Sequence, residues 1–209
     1  MDSIKASFIR LALECKALRF GQFTLKSGRT SPYFFNAGHF SNGNALKALG
    51  QAYAETLLRQ NLPIEHLFGL AYKGLPLATA TALALAEKGI DVALTFNRKE
   101  IKDHGEGGLL MGAPLSGNII IVDDVITAGT AFREAQAIVK HEGASLVGLI
   151  IALDRCERGK GARSTLEEIE SEGVKVTSII TFFDLVDYLR QNGNTKEVDS
   201  LLAYHDQHA

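Results

Sequence analysis

The chain has 209 residues, 46% of them hydrophobic and 22% charged, which is enough apolar material for one α/β domain with a sizeable core. Its formal net charge is −2 with the six histidines counted as neutral, so no overall basic field attracts nucleic acid or an anionic membrane surface. The only two cysteines, Cys15 and Cys156, stand far apart in no paired motif, which predicts neither a disulfide framework nor a zinc site.

The N-terminus and the apolar runs predict a soluble cytoplasmic protein. Residues 1–5 mix charged and apolar side chains and lack the long apolar region of a signal peptide. No apolar run reaches the roughly 20 residues that span a bilayer. We therefore expect neither nucleic acid nor a membrane as a partner, and any anion site must be local.

The first 43 residues predict a small lobe that differs from the rest of the chain. Residues 2–17 carry an apolar helical stripe, and short strand-like pieces follow at 20–25 and 33–36. From about residue 44 predicted helices and strands alternate along the chain. Helices are predicted over 45–59, 75–88, 132–142 and near 166–172, with further helices at the C-terminus, and strands over 66–70, 92–96, 119–122, 145–153 and 176–180. Strands separated by helices predict a Rossmann-like parallel sheet flanked by helices.

The most informative segment follows the predicted strand over 119–122. Two adjacent carboxylates, Asp123 and Asp124, stand where that strand ends, and the small residues 127–131 lead into the next helix. Unpaired N–H groups and the positive end of the dipole at a helix N-terminus favour a phosphate, and Gly129 lets the backbone approach it. Carboxylates accept hydrogen bonds from vicinal hydroxyls or hold a hydrated cation. The pattern predicts a cradle for a sugar phosphate such as ribose 5-phosphate.

Other readings of this segment fit less well. Acidic residues and glycines also make ordinary turns, but adjacent carboxylates beside a phosphate nest repel each other and the anion unless a ligand separates them. Neither the P-loop pattern nor a Gly-x-Gly-x-x-Gly after a strand occurs in the chain. A phosphorelay receiver carries its acidic pair near the start of its domain, whereas this pair lies past the middle of the chain.

Residues 97–114 predict a long loop with four glycines, and loops of this length in compact domains are usually functional or disordered. A solvated surface loop would also explain the charges. However, four cations fall within seven residues, which favours a lid that closes over an anionic ligand; they are Arg98, Lys99, Lys102 and His104.

Further polar residues follow other predicted strands. Tyr72 and Lys73 come after the strand over 66–70, and Arg155 follows the strand over 145–153. Because ligands lie outside the carboxyl ends of the strands in such sheets, these side chains should share one cleft with the acidic pair.

The segment over 122–130, Val-Asp-Asp-Val-Ile-Thr-Ala-Gly-Thr, resembles the phosphoribosyl pyrophosphate signature of the type I phosphoribosyltransferases. Segments 23–28, 31–36, 71–74, 96–107 and 154–155 resemble the orotate phosphoribosyltransferases, and the similarity covers nearly the whole chain. The resemblance implies transfer of ribose 5-phosphate from phosphoribosyl pyrophosphate to N1 of orotate, giving orotidine 5′-monophosphate and pyrophosphate in de novo pyrimidine synthesis. It implies one domain over 1–209, with a hood over 1–43, an α/β core over 44–190 and a helical tail over 191–209.

The resemblance also implies roles for individual residues. Phosphoribosyl pyrophosphate would be bound by Lys26, Tyr72, Lys73, Arg98, Lys99, Lys102, His104, Asp123, Asp124, Val125, Ile126, Thr127, Ala128, Gly129, Thr130 and Ala131. Orotate would be bound by Phe34, Phe35, Thr127 and Arg155. The catalytic residues would be Lys99, Lys102, His104, Asp123 and Asp124. Mg²⁺ would be held mainly by substrate and water with no direct protein ligand, and the lid cations would act across the interface of a homodimer.

Two alternatives remain open at the level of sequence. The acidic signature is shared by phosphoribosyltransferases for other bases, although Phe34, Phe35 and Arg155 favour orotate. A regulator that keeps the fold and binds nucleic acid is the second alternative, and the near-neutral charge argues against it. Cys156 departs from the polar residue expected after Arg155, and we interpret it as a packing cysteine.

Overall fold

Helices and strands alternate along most of the chain. The computed structural model describes residues 2–25, 28–102, 108–159 and 163–208, with the main chain alone at Ile101 and Lys102. The elements are α1 (Ser3–Glu14), β1 (Leu18–Thr24), β2 (Thr30–Phe35), α2 (Gly43–Leu58), β3 (His66–Gly69), α3 (Gly74–Ala86), β4 (Ala93–Lys102), β5 (Gly108–Gly112), β6 (Asn118–Val122), α4 (Thr130–His141), β7 (Ser145–Asp154), α5 (Thr165–Ser171), β8 (Lys175–Thr181), α6 (Phe182–Gln191) and α7 (Thr195–His208). Within these ranges no helix has both the length and the hydropathy of a membrane span.

The central sheet has the strand order β5-β4-β3-β6-β7-β8. The neighbouring strands β4, β3, β6, β7 and β8 pair in parallel, as the alternation of helices and strands predicts, and β5 pairs antiparallel with β4 at one edge. A separate antiparallel pair, β1 and β2, belongs to the N-terminal lobe. The predicted α/β fold is therefore confirmed, and the sheet is mostly parallel.

Strand β6 lies in the middle of the sheet and is buried on both faces, which explains its unbroken run of apolar residues. Ile120 and Val122 belong to the hydrophobic core that includes α2 and α3. Ile119 and Ile121 belong to a second core on the other face, which includes Phe132 of α4. This packing fixes the end of β6, where the acidic pair begins.

The prediction of a long loop over 97–114 is wrong for most of its length. Strand β4 continues to Lys102, and β5 pairs with it antiparallel, with Thr95 opposite Gly112 and Asn97 opposite Leu110. The outer part of β4 is exposed at Lys99 and Glu100. Because its charged residues face solvent, this segment lacks the apolar pattern by which a strand is recognised in a sequence. The lid cations Arg98, Lys99 and Lys102 therefore lie on a hairpin, and residues 103–107, with His104, lie outside the described residues.

Strand β2 of the N-terminal lobe alternates strictly between two environments. Ser31, Tyr33 and Phe35 are buried, while the residues between them are partly exposed. Phe35 packs against Phe8 of α1 at 6.3 Å between ring centroids. Phe34 points to the opposite face, where its ring stacks on Phe23 at 5.5 Å.

Candidate functional site

The site lies where the strand order reverses in the sheet. Strand β3 leads through α3 to β4 on one side, and the neighbouring β6 leads through α4 to β7 on the other. This divergence opens a crevice between the carboxyl ends of β3 and β6, the usual ligand position in open α/β sheets. Tyr72 and Lys73 follow β3, and Asp123 and Asp124 follow β6, so the topology brings both predicted groups to this crevice.

The turn from β3 to α3 is tightly built. It contains a cis peptide bond between Ala71 and Tyr72. The side-chain oxygen of Asn97 on β4 accepts a hydrogen bond from the Ala71 N–H at 2.8 Å. A Cβ atom on Gly74 would lie 2.8 Å from the Val122 carbonyl oxygen, so only glycine lets α3 begin this close to β6.

Lys73 joins the two halves of the crevice. Its Nζ atom lies 2.7 Å from Oδ2 of Asp124, whose side chain is only 5% exposed. Lys73 itself is 47% exposed, so its charge faces both the buried carboxylate and the open crevice. The ion pair therefore places a cation beside the acidic pair and at the mouth of the site.

The acidic pair is held by its own backbone. The Asp124 N–H donates to Oδ1 of Asp123 at 2.8 Å, and the Val125 N–H donates to Oδ1 of Asp124 at 3.0 Å. The main chain at Asp123 is held as well, since its N–H donates to the Ile150 carbonyl and its carbonyl accepts from the Tyr53 hydroxyl at 2.8 Å. The two carboxylates thus have fixed directions before any ligand is present.

The two carboxyl groups are not electrically equivalent. Burial, reinforced by the negative charge of Asp124, raises the pKa of Asp123 to about 7. The Asp124 N–H and the Lys73 ammonium act in the opposite direction without cancelling that effect. A ligand that donates hydrogen bonds to Asp123 stabilises its charged form, because such bonds favour the carboxylate.

The segment after the pair forms the predicted cradle at the start of α4. Gly129 is the residue before the helix and has a left-handed conformation with φ of 73°. A Cβ atom at this position would lie 2.8 Å from Cγ2 of Thr165 on α5. The hydroxyl of Thr165 donates to the Thr127 carbonyl at 2.8 Å. Since N–H and C=O of a trans peptide point in opposite directions, this bond turns the Ala128 N–H away from α5.

The cationic hairpin reaches the β3–α3 turn. Lys99 places its Nζ atom 4.6 Å from the ring centroid of Tyr72, and the ring of Tyr72 is exposed. Arg98 donates from Nη1 to the Gly108 carbonyl across the hairpin at 3.2 Å. The side chains of Lys26, Lys102 and His104 lie outside the described residues, so their predicted places in the site stay predictions.

Arg155 links the end of β7 to the N-terminal lobe. Its Nε and Nη2 atoms lie 2.7 and 2.6 Å from one oxygen of Glu157, and Nη2 donates to the Ser31 hydroxyl at 3.1 Å. The guanidinium also stacks on Tyr33 at 4.3 Å. The side chain is 9% exposed. One side of the planar fork is thus anchored.

Known proteins resemble this chain over nearly its whole length. A family model described as a phosphoribosyl transferase domain matches residues 37–189. An orotate phosphoribosyltransferase of Legionella pneumophila (strain Lens) is 61% identical over 206 residues, covering 99% of this chain and 98% of that protein. One of Pseudomonas aeruginosa is 52% identical over 211 residues, covering 100% and 99%. The chain belongs to the orotate phosphoribosyltransferase family.

Solved structures agree with this membership. The crystal structure of the orotate phosphoribosyltransferase of Francisella tularensis superposes with a TM-score of 0.87 at 36% identity, covering 97% of this chain and 99% of that one. An adenine phosphoribosyltransferase of Saccharomyces cerevisiae, at 20% identity and a TM-score of 0.53, shares the fold alone. The likeness to orotate phosphoribosyltransferases therefore extends from the sheet to both ends of the chain.

Two of the predicted orotate residues occupy different environments in this family member. The Phe35 ring is 4% exposed and lies in the core, so any contact of Phe35 with a ligand comes from its main chain. The Phe34 ring is partly exposed and stacked on Phe23. Strand alternation makes this difference unavoidable, because adjacent strand residues point to opposite faces.

The structure adds to the site four residues to which the sequence assigned no role. They supply hydrogen bonds or charge to predicted residues and are Tyr53, Asn97, Glu157 and Thr165. Only Glu157 could have been found from the sequence, since a carboxylate two residues after Arg155 is close enough to pair with it. The other three act on main-chain atoms of segments distant in sequence, which no local pattern reveals.

The interpretation of Cys156 as a packing residue agrees with its surroundings. Burial, with the nearby charge of Asp154, raises the pKa of the Cys156 thiol to about 12. The adjacent Arg155 does not reverse this, because its charge is engaged by Glu157. The thiol is therefore neutral near pH 7 and a poor nucleophile.

Proposed function

We propose that the chain transfers the ribose 5-phosphate group of phosphoribosyl pyrophosphate to N1 of orotate, releasing pyrophosphate and forming orotidine 5′-monophosphate. The observation that carries this is the crevice between β3 and β6, in which an acidic pair, a left-handed Gly129 and a helix N-terminus stand side by side. The ribose hydroxyls and the 5-phosphate of the donor would each have a chemical partner there. Full-length identity to orotate phosphoribosyltransferases supports the choice of acceptor.

The cradle would hold the ribose 5-phosphate part of the donor. The N–H groups and hydroxyls of residues 127–131 would bind the 5-phosphate at the positive end of the α4 dipole. Asp123 and Asp124 would accept hydrogen bonds from the ribose hydroxyls, with Val125 and Ile126 completing the segment. The Thr165 hydroxyl supports this arrangement, since it holds the Thr127 carbonyl away from the phosphate.

The cations would hold the pyrophosphate. Lys73 stands at the crevice mouth beside Asp124, and Tyr72 carries Lys99 over its ring. By resemblance, Lys26 and the remaining lid cations, Arg98, Lys102 and His104, would complete this set. Departure of pyrophosphate develops negative charge on the leaving group and positive charge on the sugar at C1. Fixed donors aimed at such charge typically contribute roughly 3–4 kcal/mol each.

Orotate would lie between the crevice and the N-terminal lobe. That lobe, residues 1–43, would form a hood over the base. Arg155 has five N–H donors, of which Glu157 and Ser31 engage those of Nε and Nη2. The remaining donors of the guanidinium would meet the orotate carboxylate in a charge-assisted contact. Phe34, the main chain of Phe35 and the Thr127 hydroxyl would complete the base site.

Mg²⁺ would be carried mainly by the substrate and water. Within the described residues no group of three or more His, Cys, Asp or Glu side chains is arranged to hold a metal, and Asp124 is engaged by Lys73. Mg²⁺ commonly keeps several waters and binds through substrate phosphates with one or two carboxylates. When bound to the pyrophosphate, the ion would neutralise charge on the leaving group.

A homodimer in the cytoplasm would complete the site. The exposed side of α3 adjoins Tyr72 and has no charged residue from Gly74 to Ala86, and Leu83 in its last turn is 65% exposed. A second copy covering this face would bring its own lid cations close to the crevice. An uncharged helix face this close to the site favours such an arrangement.

A spectrophotometric assay tests the proposal. The protein is mixed with phosphoribosyl pyrophosphate, Mg²⁺ and orotate, and the loss of orotate absorbance is followed together with pyrophosphate release. We expect one pyrophosphate per orotate consumed. Consumption of another base in place of orotate would refute the assigned acceptor.

A further inference from the structure

Tyr53 of α2 is fully buried beneath the acidic pair, and the reaction as proposed gives it no role. Burial raises the pKa of its phenol well above the ordinary value, so the hydroxyl stays protonated and acts as a donor. It donates to the Asp123 carbonyl at 2.8 Å, across 70 residues of sequence. A buried phenol could bond elsewhere in the core, so this choice of partner calls for an explanation.

The bonded carbonyl belongs to the peptide unit that joins Asp123 to Asp124. In a planar trans peptide the N–H points away from the C=O, so fixing one fixes the other. The N–H of this unit is the one that donates to Oδ1 of Asp123 at 2.8 Å. The direction of the Asp123 carboxylate therefore depends on the orientation of a peptide that Tyr53 holds.

Within the described residues, Tyr53 and Asp123 itself are the only side chains that form hydrogen bonds with this peptide unit. The N–H of Asp123 belongs to the preceding unit and donates to Ile150 on β7, and the Asp124 carbonyl belongs to the following unit and accepts from the N–H groups of Ala152 and Leu153. The neighbouring units are thus tied to the sheet by main-chain bonds. The unit between them, which controls the carboxylate, is tied to α2 by Tyr53.

We propose that Tyr53 is a positioning residue for Asp123, whose buried hydroxyl holds the carboxylate in the direction that receives the ribose hydroxyls. This inference rests on the proposed function, because it assigns the ribose to Asp123. Tyr53 touches no substrate and acts only through the peptide after Asp123. Its removal should weaken binding of the donor and leave binding of the base unchanged.

Tyr53→Phe is the test, since it removes the hydroxyl and keeps the ring. The matched control is Thr56→Val on the same helix, which removes a buried hydroxyl that donates to the Ala52 carbonyl at 2.7 Å, away from the site. We expect the KM for phosphoribosyl pyrophosphate to rise about three- to tenfold in Tyr53→Phe, as for loss of one buried hydrogen bond. The KM for orotate and both KM values of Thr56→Val should stay within about twofold of the unchanged protein.

A pH profile adds a readout that a purely structural role would not move. The charged groups that face Asp123 are Asp124 and Lys73, and both remain in the variant. Weakening the N–H bond to Asp123 should move the acidic limb of kcat/KM for the donor to higher pH. The limb in Thr56→Val should stay in place.

The outcomes separate this inference from the proposed function. Turnover of orotate by the unchanged protein decides the proposed function, and the ratio of variant to unchanged protein decides the role of Tyr53. Calorimetric titration with phosphoribosyl pyrophosphate and Mg²⁺ at about 10 °C gives the same ratio without turnover and guards against a variant of lower stability. An unchanged donor KM with an unmoved acidic limb would overturn the inference, as would an equal rise in both KM values.

Discussion

Gly129→Ala perturbs the cradle at its most constrained point. The residue has φ of 73°, a left-handed conformation that costs a residue with a Cβ about 1–2 kcal/mol. The new methyl group would also lie 2.8 Å from Cγ2 of Thr165, closer than carbon atoms pack without strain. Relief of that contact must shift either α5 or the loop that presents N–H groups to the phosphate.

Gly143→Ala is the matched control, because Gly143 follows the other end of α4 with φ of 74° and has open space where a Cβ atom would lie. Both variants should lose about 1–2 kcal/mol of unfolding free energy in urea through backbone strain. Only Gly129→Ala should lose more through the contact with Thr165. Its kcat/KM for phosphoribosyl pyrophosphate should fall about 10- to 100-fold, since a displacement of roughly 1 Å has this effect. The control should keep its kcat/KM.

A double variant identifies the contact itself. Thr165→Ser removes Cγ2 and keeps the hydroxyl that donates to the Thr127 carbonyl. Gly129→Ala combined with Thr165→Ser should therefore recover part of the stability and kcat/KM lost by Gly129→Ala alone. Equal stability loss in Gly129→Ala and Gly143→Ala, with the donor kcat/KM unchanged in both, would refute the reasoning.

Four further results are expected. Lys102→Ala should lower kcat far more than it weakens orotate binding, whereas Lys88→Ala, at a surface ion pair with Glu55, should change neither in the same steady-state assay; equal kcat in both variants would remove Lys102 from the mechanism. Arg155→Lys should chiefly raise the orotate KM. A lysine ammonium lacks the planar guanidinium, so it cannot bind Glu157 and a ligand carboxylate side by side. An unchanged orotate KM would place the carboxylate elsewhere. Asp123 has a folded-state pKa of about 7 against an ordinary value near 4, so its charged form disfavours folding above pH 7. In urea unfolding at pH 8 without ligand, Asp123→Asn should therefore be more stable than the unchanged protein, by about 1.4 kcal/mol per unit of pKa difference. This gain in unfolding free energy should shrink toward pH 4. A gain independent of pH would contradict the raised pKa. Cys156 should react with iodoacetamide at pH 8 far more slowly in the folded protein than in urea, and equal rates would contradict its raised pKa.

The sheet and the cradle could be predicted from sequence because their signals are local. A β-branched run ending in two carboxylates marks a buried strand at its carboxyl end, and small residues before a helical stretch mark a helix start. In the structure β6 ends at Val122, as predicted, and α4 begins at Thr130, close to the predicted start at residue 132. Parallel strands need a crossover connection, usually a helix, so the alternation of strands and helices was enough to predict the parallel pairing.

The hairpin and the supporting bonds could not be predicted in the same way. Strand β4 continues through Arg98 and Lys99 because β5 pairs with it, and that pairing depends on a segment further along the chain. Tyr53 looks like any aromatic residue on the buried side of an amphipathic helix, and only the fold shows that its hydroxyl reaches Asp123. The sequence thus indicated which groups meet the ligand, whereas the groups that orient them depend on contacts between distant segments.

Side-by-side turnover of several bases tests the choice of acceptor most directly. Orotate, uracil, adenine and hypoxanthine are each offered with phosphoribosyl pyrophosphate and Mg²⁺, and kcat/KM is measured from pyrophosphate release. We predict that orotate exceeds the other bases by at least about 100-fold, since Arg155 offers a charge-assisted contact that only its carboxylate can complete. Equal or better turnover of a base without a carboxylate would contradict the assignment.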